Sequence, residues 1–392
     1  MTLETLRPQA PDAILSLMAA FREDPREAKI DLGVGIYRDA EGRTPVMRAV
    51  KAAEARLLAD QETKAYTGLT GDPAFAEALG RLVLGGAMPP ERVAAAATPG
   101  GTGAVHQGLQ LLRMASPHGR VWLSAPTWPN HPAIARHVGL TIKDYRYYDA
   151  ATGGLDRDGM MEDLSQVAAG DAVMLHGCCH NPTGADLSEA DWAAVADLLA
   201  ARGALPFVDL AYLGFGDGLE ADAAGTRALL RRVPEALVAV SCSKNFGLYR
   251  ERAGLLIALS EGRAATQGAL AALNRLTYSF PPDHGARVVQ TILDDDALRA
   301  DWAAELEAMR AGMTDLRRAL AEALRTRTGS DRFGFLAAHR GMFSRLPATP
   351  EQVEALRRDH GVYMVGDGRM NVAGLAPGDV GRLADAIVAV GV

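Results

Sequence analysis

Between residues 120 and 243, four short apolar runs alternate with longer amphipathic stretches, and each run stops on a cluster of small polar residues. Arg-Val-Trp-Leu-Ser begins at Arg120, Ala-Val-Met-Leu-His at Ala172, Leu-Pro-Phe-Val-Asp at Leu205 and Ala-Leu-Val-Ala-Val-Ser-Cys-Ser at Ala236. Runs this short and this uniformly apolar read as strands buried on both faces of a sheet. Residues 188–202 and 221–232 lie between them and carry helical spacing with polar faces. Strand–helix alternation of this kind predicts an α/β domain with a mostly parallel sheet.

What ends the strands is equally informative. The runs close on Ser-Ala-Pro-Thr-Trp (124–128), His-Gly-Cys-Cys-His-Asn-Pro-Thr-Gly (176–184), Asp-Leu-Ala-Tyr (209–212) and Ser-Cys-Ser-Lys (241–244). In open α/β sheets ligands bind outside the carboxyl ends of the strands, so these polar ends predict one shared site.

After about residue 300 the pattern changes. A long helix is predicted over 301–325, apolar at Trp302, Leu306, Met309, Met313 and Leu316. Short strands follow around 333–336 and 341–344, then a helix over 350–360, a strand over 362–365 and a terminal helix over 380–390. This mixture predicts a smaller α+β domain, to which the N-terminal segment ending at Ile-Asp-Leu-Gly-Val-Gly (30–35) is assigned. A chain of 392 residues has room for both, since single cores seldom grow far beyond ~250–300 residues.

Charge and cysteine usage exclude several classes. A formal charge of −7 with no basic run argues against a nucleic-acid surface. No stretch approaches the ~20 apolar residues of a membrane helix, and the N-terminus carries no apolar secretory segment. Cys178, Cys179 and Cys242 make no disulfide framework and lack the CxxC spacing of a zinc site. They read as buried thiols in a reducing compartment, so a cytoplasmic protein is expected.

Several residues suggest chemistry. Lys244 stands at the end of an apolar strand after Ser-Cys-Ser, with Arg252 eight positions on. Burial and a neighbouring cation lower an amine's pKa and suit it to Schiff-base formation, although a solvated lysine is the commoner case. Asp209 closes its own strand; a buried carboxylate needs a partner, which a pyridinium nitrogen, a helix cap or a core ion pair would equally supply. Gly-Gly-Thr-Gly at 100–103 precedes a helical run over 104–114 and offers backbone N–H groups to a phosphate. It lacks the spacing of an ATPase loop or a dinucleotide fingerprint, so a small monophosphate fits better. Arg369, in Gly-Asp-Gly-Arg-Met-Asn-Val-Ala-Gly (366–374), is a candidate carboxylate anchor or a plain surface arginine in a turn.

Together with Thr-Pro-Gly-Gly-Thr-Gly-Ala (98–104), Thr-Trp-Pro-Asn-His (127–131) and Ser-Lys-Asn-Phe-Gly-Leu-Tyr (243–249), these motifs resemble the fold-type-I pyridoxal-phosphate aminotransferases of the aspartate/aromatic subgroup, over essentially the whole chain. The resemblance implies a large domain with a mostly parallel seven-stranded sheet between helices (46–305) and a small domain built from 13–45 and 306–392, preceded by an arm (1–12). It implies that Lys244 carries pyridoxal 5'-phosphate as a Schiff base and moves the proton between the substrate's Cα and the cofactor. Asp209, supported by His131 and His176, would pair with the pyridinium nitrogen. Asn181 and Tyr212 would hydrogen-bond the ring oxygen, and Trp128 would stack on the ring. Gly101, Thr102, Ser241, Ser243 and Arg252 would hold the phosphate, with Tyr66 arriving from the second subunit of a homodimer. Arg369 would bind the α-carboxylate beside the Gly35 backbone and Asn181, and Arg275 would reach across the dimer to a distal carboxylate.

The expected reaction is ping-pong transamination between amino acids and 2-oxo acids through pyridoxamine phosphate. Phe280 between Ser279 and Pro281, Arg345 after Gly-Met-Phe-Ser, and Ala65 before Tyr66 depart from the aspartate enzymes and are similar to bacterial aromatic-amino-acid aminotransferases. An aspartate-preferring enzyme is the alternative. A decarboxylase or lyase on the same fold, or a non-catalytic cofactor-sensing module, would answer to the same motifs less well. The latter class usually carries a DNA-binding helix-turn-helix for which no segment is spare.

Overall fold

The computed structural model describes residues 2–8 and 12–392. Of the arm expected over 1–12, residues 1 and 9–11 lie outside the described residues, and Leu3–Thr5 form an exposed 3₁₀ turn.

The central sheet has seven strands: β1 (Val93–Pro99), β2 (Arg120–Ala125), β3 (Thr141–Arg146), β4 (Ala172–His176), β5 (Leu205–Leu210), β6 (Ala236–Ser241) and β7 (Ala253–Leu259), in spatial order β1-β7-β6-β5-β4-β2-β3. From β6 to β3 every neighbour is parallel, whereas β7 is antiparallel to both β1 and β6. The four apolar runs read from the sequence are β2, β4, β5 and β6, and their carboxyl ends lie side by side. Register sets His176 directly beside Asp209.

Apolar cores cover both faces of the sheet. One gathers Val105 and Leu109 of helix α1 (Gly100–Ala115) with Phe207 and Leu256; the other gathers Val208, Val240, Phe246 and Trp302. Gly254 lets α1 start close to β7, because a Cβ there would meet the Gly100 carbonyl carbon at 2.5 Å. Helix α2 (Arg263–Thr277) packs beside β1, and the long helix α3 (Asp296–Thr328) leaves the sheet for a separate core. The latter joins Leu320 and Leu324 to Leu356, Met370, Leu383 and Ile387, and also takes in Ile30 and Leu32. The N-terminal segment enters by parallel pairing of Ile30–Asp31 with Val362–Tyr363.

One expected strand is absent. Residues 333–336 form a turn into a short helix, Phe335–Ala338, with Leu336 N–H bonded to the Phe333 carbonyl. Phe333 and Leu336 are both buried, three residues apart; a run this short satisfies helix and strand spacing alike, and only the local hydrogen bonds decide. Strand β8 (Phe343–Arg345) pairs antiparallel with β9 (Arg369–Asn371) and brings the loop around 341 beside Arg369. No helix among the described residues is long and apolar enough to cross a membrane.

Candidate active site

Outside the carboxyl ends of β4, β5 and β6 lies a cavity of about 210 Å³. One end is built to receive an anion. Gly100, at φ +69°, turns the chain sharply from β1 into α1, so Gly101 and Thr102 present the first free N–H groups of a 16-residue helix. Arg252 closes this end, donating to the Pro99 carbonyl at 3.3 Å, the Tyr249 carbonyl at 3.0 Å and Ser243 Oγ at 3.4 Å. Its own backbone sits at φ +55°, a left-handed conformation that a non-glycine residue adopts only when its surroundings impose it. Ser241 stands opposite, where a Cβ on Gly101 would meet its Cβ at 2.9 Å, so the helix start and the end of β6 form a tight cup.

The other end holds a buried carboxylate. Asp209 Oδ2 accepts from His131 Nε2 at 3.0 Å, and the Thr127 hydroxyl lies 2.8 Å from His131 Nδ1 and 3.2 Å from His176 Nε2. One hydroxyl proton cannot serve two acceptors, so at least one of those two ring nitrogens carries hydrogen. Burial pushes the Asp209 carboxyl up, but the His131 hydrogen bond, with His131, His176 and Lys244 nearby, outweighs it and holds the group below its usual range. Burial takes His176 down to about 3, aided by His131 and opposed by Asp209, so this imidazole is neutral. An ionised carboxylate with a free face toward the cavity can hold a protonated ring nitrogen.

Lys244 lines the cavity between these ends. Burial pushes its ammonium below the ordinary lysine range; Asp209 opposes the shift and Arg252 adds to it. Its Nζ stands 5.4 Å from the centre of the Tyr212 ring. Asn181 Nδ2 donates to the Tyr212 hydroxyl at 3.3 Å, while Asn181 Oδ1 is buried without a partner. Trp128 flanks the cavity with its ring edge-on to His131, centroids 5.2 Å apart.

The smaller unit supplies Arg369, which is buried and donates from Nη2 to the Gly33 carbonyl at 3.1 Å, with Nε unpartnered. Its guanidinium lies 5.0 Å from the centre of the Phe343 ring, and that ring meets Tyr212 edge-on at 6.0 Å. Gly35 belongs here because a Cβ would come within 3.0 Å of Phe343 Cζ. Phe343 and Thr127 stand inside sequence motifs, but spacing alone assigns neither a place in the site. Their one signal was adjacency to residues already singled out.

Two expected site residues do not reach the cavity of their own chain. Tyr66 is 83% exposed and stacks on Phe280 with centroids 4.5 Å apart; Arg275 is exposed too, bonded to Ser279 Oγ at 2.5 Å and 6.0 Å from the Phe280 ring. Arg345 donates to the Asp367 carbonyl at 2.8 Å and does not line the cavity. The three cysteines are buried and unbridged. Sulfurs of Cys178 and Cys179 come within 4.8 Å of an Asp222 oxygen, but that carboxylate is already held by the N–H groups of Gly214, Gly216 and Asp217.

These residues fit pyridoxal phosphate. The cup suits a phosphate, Asp209 a protonated ring nitrogen, and the orphaned Asn181 Oδ1 beside the Tyr212 hydroxyl a ring substituent that donates or shares hydrogen. Lys244 between them is an amine with a lowered pKa, as Schiff-base chemistry requires. Known proteins agree. The chain is 58% identical to the aromatic-amino-acid aminotransferase of Paracoccus denitrificans, with all of both chains covered, and 44% identical to the aspartate aminotransferase of Escherichia coli over 99% of each. An aromatic-amino-acid aminotransferase from Burkholderia pseudomallei, solved covalently bound to pyridoxal phosphate, superposes over 100% of both chains with a TM-score of 0.96 at 39% identity. Residues 27–387 match the family described as aminotransferase class I and II, and the chain belongs to that pyridoxal-phosphate-dependent family.

Proposed function

We propose that this enzyme exchanges amino groups between aromatic (Tyr, Phe, Trp) or acidic (Asp, Glu) amino acids and 2-oxo acids such as 2-oxoglutarate, working as a cytoplasmic homodimer. The bound cofactor supplies an electron sink and a temporary carrier for the amino group. Lys244 Nζ takes the proton from the substrate's Cα and returns one to the carrier carbon. Asp209 stays ionised, through His131, and holds the ring nitrogen protonated. Asn181 and Tyr212 orient the ring from its oxygen side and Trp128 covers one face. Gly101, Thr102, Ser241, Ser243 and Arg252 would hold the phosphate. Arg369, with the Gly35 backbone, binds the α-carboxylate that every substrate shares. Residues 13–45 and 306–392 form the unit that carries this anchor, and 46–305 the unit that holds the cofactor.

The observation that carries the dual specificity is the Arg275 arrangement. Its exposed guanidinium rests on half-buried Phe280 and Ser279, outside its own cavity, beside exposed Tyr66 and an 84% exposed Leu276. A surface of this kind suits a second copy of the chain, whose cavity would then receive Arg275 and Tyr66. Arg275 would meet the distal carboxylate of aspartate or glutamate and stay on Phe280 when the substrate is aromatic. An aspartate-preferring enzyme is the second reading, favoured by retention of Arg275 itself. Measuring kcat/KM for Asp, Phe, Tyr and Trp with 2-oxoglutarate as acceptor tests the two. Efficient turnover of aspartate together with the aromatics is expected; a wild type inactive on phenylalanine and tyrosine leaves only the aspartate reading.

A further inference from the structure

Arg317 sits in the middle of α3, 2% exposed, and ranks among the largest fully buried side chains of the protein. A buried guanidinium is ordinarily matched by a carboxylate. Here every acceptor is neutral. Nη2 donates to the carbonyls of Phe343 at 2.6 Å, Gly341 at 2.7 Å and Arg340 at 3.4 Å; Nε also reaches Gly341 at 3.2 Å; Nη1 donates to Ser344 Oγ at 2.6 Å and the Leu336 carbonyl at 3.3 Å. Burial without a counter-ion pulls this guanidinium down to about 10, a cost the fold sustains.

The target of these bonds is the strand that borders the site. Ser344 is held on its other side by His339 Nδ1 at 3.0 Å, and His339 Nε2 donates to the Gly153 carbonyl at 2.6 Å. Burial takes His339 down to about 4, so the ring is neutral, its Nδ1 accepts from the Ser344 hydroxyl, and that oxygen is left to accept from Arg317. The chain of donors therefore has one consistent direction and locks residues 340–344 to α3. Phe343 is the residue so locked, and its ring carries Arg369 on one side and crowds Gly35. A flat fork with five N–H donors serves four carbonyls and a hydroxyl here, whereas a lysine ammonium has three donors at a single point and an apolar residue none.

We infer that Arg317 is a positioning residue: it fixes the Phe343 platform and thereby aims the Arg369 guanidinium at the substrate's α-carboxylate. This rests on the proposed role of Arg369. Losing the fork frees the 340–344 backbone and lets the platform move, so binding of any carboxylate substrate weakens while chemistry at Lys244 proceeds once substrate is bound.

The test uses pyridoxal-phosphate-loaded wild type and the variants Arg317→Met, Arg317→Lys, Phe343→Leu and Arg369→Ala. The readouts are KM and kcat for aspartate and phenylalanine, and Kd for 3-indolepropionate, a carboxylate with no amino group to transfer. Arg317→Met and Phe343→Leu should each raise KM for both amino acids and Kd for the probe by about tenfold, with kcat within about threefold of wild type. Arg317→Lys should fall between wild type and Arg317→Met. Phe343→Leu leaves Arg317 and its bonds intact, so it decides the matter if Arg317→Met does not fold. Wild-type KM and Kd in Phe343→Leu, or in a folded Arg317→Met, overturn the inference, provided Arg369→Ala loses the probe. If Arg369→Ala binds the probe as wild type does, the carboxylate-anchor reading itself fails and the inference falls with it.

Discussion

Truncating Arg369 to alanine removes the guanidinium that, in the proposed machinery, binds the α-carboxylate every substrate presents. The side chain is 4% exposed, burial holds its guanidinium below the ordinary arginine range, and its Nε has no protein partner. A carboxylate brought against it sheds most of its water. Without Arg369 that charge stays buried and unpaired, which costs about 3–5 kcal/mol. At about 1.4 kcal/mol per tenfold, kcat/KM should fall by roughly 100- to 4,000-fold. The loss should be similar for aspartate and phenylalanine, because both present an α-carboxylate at the same place. Arg369→Lys should recover part of it, since an ammonium restores charge but not the two-pronged fork. Steady-state kinetics with 2-oxoglutarate, run beside a thermal melt to show that the fold survives, measure this directly. A loss under about tenfold for both donors, or one confined to a single donor class, would refute the assignment of Arg369 as the common anchor.

Lys244→Ala should retain cofactor, held by the phosphate cup, yet show no turnover; transamination near the wild-type rate would remove the lysine from the mechanism. Asp209→Ala should slow proton abstraction by orders of magnitude and Asp209→Glu far less, as single-turnover absorbance would show. Equal rates in both would make the carboxylate structural only. Arg275→Ala should depress kcat/KM for aspartate and glutamate by at least about 100-fold and for phenylalanine by less than about tenfold. Stability should fall as the pH drops from 6.5 toward 4, because His339 has an ordinary value of 6.5 and is held at about 4 when folded. The unfolded chain then binds the extra proton, so this contribution is complete above 6.5 and lost below it. Asp186, raised by burial to about 6, works the other way, so the comparison is the melting temperature of wild type against His339→Asn, whose pH dependence over this window should be flatter.

The sequence by itself determined the sheet and the site's axis. Short apolar runs that alternate with amphipathic helices read as interior strands, and polar residues at their carboxyl ends then face a common opening, which is why Asp209, Asn181 and Lys244 are legible together. Pyridoxal phosphate and the two arginine anchors came from the ordered motifs rather than from periodicity. What tertiary structure alone decided involves contacts between segments far apart in the chain. Nothing local distinguishes Arg317 from the other arginines of α3; its role depends on three carbonyls that arrive more than twenty residues later. His131, Thr127 and His176 become one relay only because β4 and β5 set His176 beside Asp209. The turn at 333–336 reads as a strand in the sequence because hydrogen-bond partners, not side-chain spacing, choose between helix and strand in so short a run. Tyr66 and Arg275 mark the same divide from the other side. Their chemistry is readable in the motifs, but a single folded chain leaves both on its surface; in the proposed homodimer Tyr66 would meet the cofactor's phosphate and Arg275 a substrate's distal carboxylate.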